Sequence, residues 1–263
     1  MIGQSKFKEY LDKWSKPPQF IILKGEMGSG RSTIIDLIKS KYKFNSITCG
    51  TSVEEIREII SLAYQLGEPT FYIFYNGDKL SNSAKNALLK IVEEPPKNAY
   101  FIMRVENSVI ETLQNRAFFY NMQSYSSSEL KQYYIDSGKE DIFNSYGFIC
   151  KNIGQIRVFL NSDYEEIIDY CGTIVDMISK VSQGNIFNIT NKLNLGTNIE
   201  KWDTILFVNI LEWVLNNQYK KTKDDKYFQA IFRLNNLRKQ LRINGVNKQC
   251  AFDNFFLGLK DLL

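Results

Sequence analysis

The chain has 263 residues, of which 44% are hydrophobic and 14% aromatic, with 33 Lys and Arg against 29 Asp and Glu and no histidine. The lack of histidine excludes a histidine general base, a Ser-His-Asp or Cys-His nucleophile and a histidine-ligated metal. A net charge of +4 does not by itself indicate nucleic-acid binding, because only a clustered excess would make a binding surface. Carboxylates, Lys and Arg side chains, thiolates, or the positioning of phosphates remain as possible chemistry.

The four cysteines lie far apart in the sequence and form no C-x-x-C pair: Cys49, Cys150, Cys171 and Cys250. This spacing predicts buried structural thiols in a reducing compartment and no metal site. The N-terminal sequence lacks the apolar core of a signal peptide, and no apolar run is long enough to span a membrane. We therefore expect a soluble, cytoplasmic protein.

The first strong pattern is a strand, a glycine loop and a helix. The run Phe20–Leu23 is short and wholly apolar, as in a strand that is buried on both faces. A glycine-rich segment follows at residues 25–33, and residues 34–38 continue with apolar residues at helical spacing.

Further strands and helices alternate up to about residue 122. Ser52 and Glu55 have the spacing of a capping box and predict the start of a helix. Phe71–Tyr75 and Tyr100–Met103 are further candidates for buried strands, and residues 81–94 between them form a predicted helix. This alternation predicts a parallel sheet covered by helices.

From residue 124 onward the sequence shows helical periodicity and almost no strand signal, beginning at a second capping-box pair, Ser126 and Glu129. We therefore predict three parts: an α/β domain over residues 1–123, a small helical domain over 124–175, and a second helical domain over 176–263.

The glycine-rich segment matches the phosphate-binding P-loop pattern, except that Arg31 stands where the pattern has lysine. In such a loop, backbone N–H groups surround a phosphate, a cation meets the β/γ oxygens and a hydroxyl binds Mg²⁺. The alternative is a tight turn that binds no ligand, and the broad, planar guanidinium is a poor replacement for a compact ammonium. The candidate nucleotide-binding residues of the loop are Gly25, Gly28, Gly30, Arg31, Ser32 and Thr33.

A working nucleotide hydrolase also needs carboxylates at the end of the next core strand. That strand ends in Tyr75 and Asn76, and the nearest carboxylate, Asp78, lies farther on. We therefore expect that hydrolysis is lost, and the sequence leaves open whether ATP or ADP binds without reaction.

The segment Asn86–Pro96, NALLKIVEEPP, resembles the N-A-L-L-K-x-x-E-E-P-P signature of the sliding-clamp loader subunits of DNA replication, within the AAA+ class. In that family, the chain is most similar to the bacterial delta-prime and gamma/tau subunits of DNA polymerase III. The resemblance implies an α/β P-loop domain of the AAA+ type, with a RecA-like parallel sheet, followed by two all-helical domains, the lid and the collar.

Other segments agree in order and spacing, so the resemblance extends over essentially the whole chain. Residues 2–4 match the I-G-Q box, which lies beside the adenine in the family, and residues 56–58 match an I-R-E stretch. Residues 113–117 lie where the family has its L-x-S-R-C motif, and residues 154–157 lie where the lid domain has its sensor-2 arginine. Residues 244–247 resemble the N-x-N segment of the collar domain.

The departures from the family pattern are as informative as the matches. The P-loop lysine is Arg31, the acidic pair is replaced by Tyr75 and Asn76, and the cysteine-ligated zinc module of bacterial relatives is absent. The arginine of the S-R-C motif is kept as Arg116. Near the sensor-1 position the chain has Val105-Glu106-Asn107, and which of these matches stays open.

The resemblance therefore implies a catalytically degenerate, delta-prime-like subunit. Arg116 would reach across a subunit interface as an arginine finger toward the γ-phosphate that a neighbour binds. Arg157 would be the lid arginine that contacts nucleotide in active relatives. The implied partners are a gamma/tau-like ATPase and a delta-like subunit, with the sliding clamp and primer-template DNA reached through the complex.

Two other functions stay open at this point. One is an active P-loop ATPase in which Asp78 supplies the carboxylate. The other is a divergent DNA-binding AAA+ protein of phage or plasmid origin. A cluster of cations after residue 219 lies around a predicted helix, and it is either a solvated face or a DNA-facing patch. Its members are Lys220, Lys221, Lys223, Lys226, Arg233, Arg238, Lys239 and Arg242. The predicted apolar side of this helix holds Phe228, Ile231, Phe232, Leu234, Leu237 and Leu241.

Overall fold

A computed structural model describes residues 2–107, 109–193, 202–243 and 245–263 of the protein. Its contacts divide the chain into two compact units. One comprises Met1–Tyr133 with Asn152–Gly154, and the other comprises Tyr134–Lys151 with Gln155–Leu263. The three-part division with boundaries after residues 123 and 175 stays a prediction.

The first unit is built on a five-stranded sheet with the strand order β2-β3-β4-β1-β5, in which every pairing is parallel. The strands are β1 (Phe20–Lys24), β2 (Asn45–Thr48), β3 (Thr70–Phe74), β4 (Ala99–Val105) and β5 (Phe118–Asn121). The helices that alternate with them are α1 (Ser5–Lys13), α2 (Arg31–Tyr42), α3 (Val53–Gln65), α4 (Asn82–Glu93) and α5 (Glu111–Gln114), with a short 3-10 helix at Gly77–Lys79.

Helices cover both faces of this sheet, as the alternating pattern predicts. Alternate residues of each central strand enter opposite cores, so that Ile22 lies in one and Ile21 in the other. On one face the strands pack against α3, α4 and α5, and on the other against α1 and α2. Parallel strands that are buried on both faces are apolar throughout, which is why the central runs are recognisable in the sequence.

Three of the five strands follow the sequence prediction, and the two edge strands were missed. β1, β3 and β4 correspond to the predicted apolar runs. β2 lies at one end of the strand order beside β3, and most of its residues are exposed, so it has no apolar run to detect. β5 lies at the other end beside β1 and closely follows α5.

Both predicted capping boxes are present. The hydroxyl of Ser52 accepts a hydrogen bond from the Glu55 N–H at 3.2 Å, and the Glu55 carboxylate accepts from the Ser52 N–H at 2.9 Å. Ser126 and Glu129 make the same reciprocal pair at 3.2 and 2.8 Å. The hydrogen bonds to Ser52 and Thr51 lower the pKa of Glu55, since they favour its charged form.

After the sheet, the described residues form helices without a strand. The helices are α6 (Ser127–Asp136), α7 (Glu140–Tyr146), α8 (Ile153–Leu160), α9 (Tyr164–Met177), α10 (Gln183–Asn191), α11 (Thr204–Thr222), α12 (Asp225–Gln240) and α13 (Lys248–Lys260), with a 3-10 helix at Ile178–Lys180. In the second unit, α11 packs against α9 and α12, and α13 packs against α10 and α12. No helix in the described ranges is long and apolar enough to cross a membrane.

Two sequence expectations about buried residues were wrong. Leu234 and Leu237 of the predicted apolar side of α12 are buried, but Phe228 and Phe232 are 59% and 65% exposed, because the buried side is narrower and is centred on Ala230, Leu234 and Leu237. Cys250 is exposed, whereas the other three thiols are buried as predicted. Burial raises the pKa of Cys49 and Cys150 to about 12, so these two thiols are protonated and unreactive at neutral pH. Asn244, the first residue of the proposed collar motif, lies outside the described residues.

The substitution Leu88→Ala tests the core between α4 and the sheet. Leu88 is completely buried, and its loss should lower the free energy of unfolding by about 2–5 kcal/mol through lost burial and the remaining cavity. Urea denaturation measures this effect, with Leu66→Ala at an exposed leucine as the matched control. Equal effects of the two substitutions would contradict this packing.

Candidate functional site

The glycine loop has the backbone shape that a P-loop requires. It joins β1 to α2, and Gly28 and Gly30 have φ values of 84° and 97°, in the left-handed region that favours glycine. Gly30 is the N-cap of α2 and gives the helix no side-chain cap. A helix start of this kind can bind an anion, as the sequence motif predicts.

The side chain of Arg31 is turned into the protein. It is only 6% exposed, and its Nη1 donates a hydrogen bond to the carbonyl oxygen of Val105 at 2.6 Å. Its Nη2 pairs with the Glu106 carboxylate at 2.8 Å. The guanidinium therefore links the start of α2 to the end of β4, where a P-loop lysine would reach toward phosphate oxygens.

The hydroxyl of Ser32, the expected Mg²⁺ ligand, also has a protein partner. Arg104 donates from Nη1 to Ser32 Oγ at 2.8 Å and from Nε to the Tyr75 carbonyl at 3.0 Å. Its guanidinium lies 5.1 Å from the centre of the Tyr75 ring. Burial and the nearby charge of Arg31 lower the pKa of Arg104, which indicates that two cations share this edge of the sheet.

Asp78, the carboxylate of the ATPase alternative, is bonded to backbone. It lies in the 3-10 helix after β3, and its two oxygens accept hydrogen bonds from the N–H groups of Glu106 and Asn107 at 2.7 and 2.8 Å. Asp78 thereby fixes the segment that follows β4, the same segment to which Arg31 is bonded. In this arrangement, it acts as a structural anchor.

Tyr125 connects the N-terminal segment to the glycine loop. Its ring lies against Gly3, and its hydroxyl donates to the Ser29 carbonyl at 3.1 Å. Beside it, the buried amide of Gln4 donates to the Gln123 carbonyl at 2.7 Å and accepts from the Gln123 N–H at 3.0 Å. Gln4, the glutamine of the I-G-Q box, thus joins the N-terminal segment to the backbone at Gln123.

The tip of the glycine loop is held by residues 152–154, which belong to the same compact unit. Asn152 donates from its side chain to the Met27 carbonyl at 3.1 Å, and the Gly154 N–H donates to the Gly28 carbonyl at 3.1 Å. A side chain at Gly28 would collide with Asn152. The loop is therefore packed on its outer side by this chain's own residues.

Arg116 lies at the opposite edge of the sheet from the glycine loop. It lies two residues before β5, which runs parallel to β1, whereas the loop directly follows β1. The amino ends of parallel strands share one edge and the carboxyl ends the other, so these four-residue strand pairings put about 13 Å of sheet between the two positions. Arg116 cannot serve the loop of its own chain without a rearrangement of the sheet.

The Arg116 guanidinium is fixed at the surface. Its Nη2 forms an ion pair with Glu93, the last residue of α4, and its Nη1 donates to the Thr112 carbonyl at 2.7 Å. The turn that carries it is anchored by Leu113, which is completely buried. The Arg116 side chain is still 35% exposed, so it is accessible to a partner.

The remaining candidate residues lie elsewhere. Thr33 is exposed in the first turn of α2. Arg157 is exposed in the last turn of α8, in the second compact unit, whereas the glycine loop belongs to the first.

The predicted basic cluster is partly neutralised by its own neighbours. Arg238 binds Glu212 at 2.7 Å and Asn209 at 2.9 Å, and Lys226 pairs with Asp224 at 3.5 Å. Burial alone would raise the pKa of Glu212, but Arg238 and Lys151 outweigh it and lower that pKa. Across the ranges that the structure describes, no group of Cys, Asp and Glu residues is arranged to hold a metal ion.

Comparison with known proteins agrees with the motifs. The model of the family described as DNA polymerase III, delta subunit matches residues 21–126, which include the glycine loop, the NALLKIVEEPP segment and Arg116. A DNA polymerase III subunit delta-prime of Buchnera aphidicola subsp. Baizongia pistaciae is 23% identical over 250 residues, covering 84% of this chain and 73% of that protein. The clamp-loader resemblance is confirmed.

Two further matches extend the similarity to the gamma subunits. The DNA polymerase III subunit gamma of Buchnera aphidicola subsp. Schizaphis graminum is 31% identical over 123 residues, covering 43% of this chain and 31% of that one. The crystal structure of a DNA polymerase III gamma subunit-related protein from Thermotoga maritima superposes with a TM-score of 0.50 at 16% identity and covers 98% of each chain. With the parallel sheet order, this likeness confirms the fold class: an α/β domain with a parallel sheet and a P-loop pattern, followed by helical regions.

The clamp-loader resemblance implied the roles of the loop residues and of Arg116, but it did not reveal three of the residues that shape the site. Arg104 is a charged residue within the otherwise apolar β4, and that interruption is a detectable signal. Tyr125 is the aromatic residue in a serine-rich linker, which also marks it. Nothing in the sequence indicated that Asn152 would contact the loop.

Replacement of Arg31 by the usual P-loop lysine should destabilise this clamp-loader-like chain. Two different guanidinium nitrogens make the contacts to Val105 and Glu106, and a lysine, which is shorter and has one nitrogen, should lose at least one of them. A lost buried hydrogen bond costs about 1–3 kcal/mol. Urea unfolding without nucleotide measures the loss in Arg31→Lys, with Lys39→Arg on the same helix as the control. An Arg31→Lys protein as stable as the parent would contradict the bonded role of Arg31.

Proposed function

We propose that the chain is a delta-prime-like subunit of a DNA polymerase III clamp loader that hydrolyses no ATP itself and supplies Arg116 to the nucleotide of a neighbouring subunit. The observation that carries the proposal is the position of Arg116: accessible, fixed, and at the sheet edge away from its own glycine loop. A residue so placed can act on a phosphate only if another chain brings that phosphate to it.

The internal bonds of the glycine loop support the non-hydrolytic part of the proposal. Arg31 and Ser32, which would meet phosphate and Mg²⁺, are bonded to Glu106 and Arg104. Tyr75 and Asn76 supply no carboxylate after β3, and the carboxylate of Asp78 holds the backbone after β4. ATP or ADP would have to displace several of these contacts in order to bind as it does in a P-loop. Arg157 would contact nucleotide from the lid only if ATP or ADP binds in this glycine loop.

The proposed partners follow from the same similarity. A gamma/tau-like ATPase would bind the nucleotide that Arg116 meets, a delta-like subunit would complete the loader, and the sliding clamp and primer-template DNA would be reached through the assembly. The whole complex would act in the cytoplasm, at the replication machinery.

Arg116→Ala tests the arginine finger in the assembled loader. With the other ATP sites inactivated, turnover at the site next to this chain should fall by about three orders of magnitude, because an arginine finger stabilises transition-state charge. The measurement is clamp- and DNA-stimulated phosphate release. Lys8→Ala, at an exposed lysine of α1, is the control and should leave turnover unchanged. Unchanged turnover in Arg116→Ala would refute the proposal.

The isolated chain should hydrolyse no Mg-ATP above the background rate, and Asp78→Asn should make no difference to phosphate release. Turnover by the isolated chain that disappears in Asp78→Asn would instead establish the active-ATPase alternative. Salt-dependent DNA binding by the isolated chain, without co-purifying loader subunits, would favour a divergent DNA-binding protein.

A further inference from the structure

Glu93 and Arg116 form an ion pair at a helix end where a carboxylate by itself is unfavourable. Glu93 is the last helical residue of α4, and the carboxyl end of a helix carries partial negative charge, which repels a carboxylate. The Arg116 guanidinium supplies the compensating cation. Side chains of Glu93 and Arg116 are 46% and 35% exposed, and a pair as exposed as this contributes little to folding stability.

Glu93 lies on α4 and Arg116 on the turn after α5, and both of these segments are held by buried contacts or backbone hydrogen bonds. α4 packs against α5, and Leu88 and Ile91 of α4 share a buried core with Leu113 of α5. The turn after α5 is closed by backbone hydrogen bonds, from Arg116 N–H to the Leu113 carbonyl and from Ala117 N–H to the Gln114 carbonyl. The carboxylate and the arginine backbone are therefore held at a fixed separation.

The guanidinium keeps donors for a further anion. It has five N–H groups, and within the described part of the chain it makes two contacts, with Glu93 and with the Thr112 carbonyl. Three N–H groups remain, enough to bind a phosphate without breaking either contact. An exposed arginine without these contacts would sample many rotamers, and ordering it on each encounter would slow the reaction.

We propose that Glu93 is a positioning residue that holds the Arg116 guanidinium in readiness for the neighbour's phosphate. The inference rests on the proposed function of Arg116. Glu93 does not itself meet the nucleotide, so it acts on the rate through Arg116 and leaves the neighbour's affinity for ATP unchanged.

The test uses the assembled loader with the single competent ATP site next to this chain, supplied with Mg-ATP, clamp and primer-template DNA. Glu93→Ala should lower kcat about tenfold with an unchanged KM for ATP, and Glu93→Asp should recover part of the loss. Glu94→Gln, at the adjacent exposed carboxylate, is the matched control and should behave as the parent. Gel filtration checks that each variant still assembles.

The double variant separates positioning from a general structural effect. If Glu93 acts through Arg116, Glu93→Ala combined with Arg116→Ala should be no slower than Arg116→Ala alone, whereas independent effects would add. If Arg116→Ala slows the loader and Glu93→Ala leaves kcat unchanged or raises it, the positioning role is wrong and the arginine finger stands. If Arg116→Ala has no effect, both proposals fall.

Discussion

The buried guanidinium of Arg31 joins the start of α2 to the end of β4 through Val105 and Glu106, and the polar edge of the sheet is organised around this contact. The same short segment after β4 is fixed from its other side by Asp78. Arg104, one residue before Val105, reaches back to Ser32 and to the Tyr75 carbonyl. Arg31 and Ser32, which a P-loop protein would direct toward nucleotide and Mg²⁺, are thus bonded to other groups of the same chain.

The two edges of the sheet differ in whether their polar groups are bonded within the chain or accessible to a partner. At the carboxyl edge, the glycine loop is held by Arg31 from within, by Tyr125 at Ser29 and by residues 152–154 at its tip. At the amino edge, Arg116 is accessible and forms an ion pair with Glu93. A subunit that works on a neighbour's nucleotide needs a stable fold without a nucleotide of its own, together with a fixed, accessible arginine. The internal bonds meet the first need and the Arg116 turn meets the second.

The sequence predicted the parts of the structure that depend on local pattern. The central strands were recognisable because burial on both faces makes them apolar throughout, and the Ser52 capping box was recognisable because its two hydrogen bonds join residues three apart. The edge strand β2 was missed, since it is largely exposed and has no such pattern. Phe228 and Phe232 were misplaced because the apolar residues of α12 spread over more of the helix than the part that packs, which is centred on Leu234 and Leu237.

The motifs identified the candidate residues of the site but not their contacts. The pattern showed an arginine in place of the P-loop lysine, yet the direction of its side chain depends on Val105 and Glu106, more than seventy residues away in sequence. The pairing of Glu93 with Arg116 likewise requires α4 and the turn after α5 to meet in three dimensions. Long-range polar contacts of this kind follow from the fold and leave no local signal.

The proposed roles of Arg116 and of the glycine loop can be tested together in the structure of the assembled loader with a non-hydrolysable ATP analogue. We expect the Arg116 guanidinium within hydrogen-bond distance, about 3 Å, of the γ-phosphate in a neighbouring subunit, with Arg31 still on Glu106 and no nucleotide in this chain's glycine loop. A nucleotide bound in that loop, with Arg31 turned to its phosphates and Arg116 remote from any neighbour's phosphate, would contradict both roles.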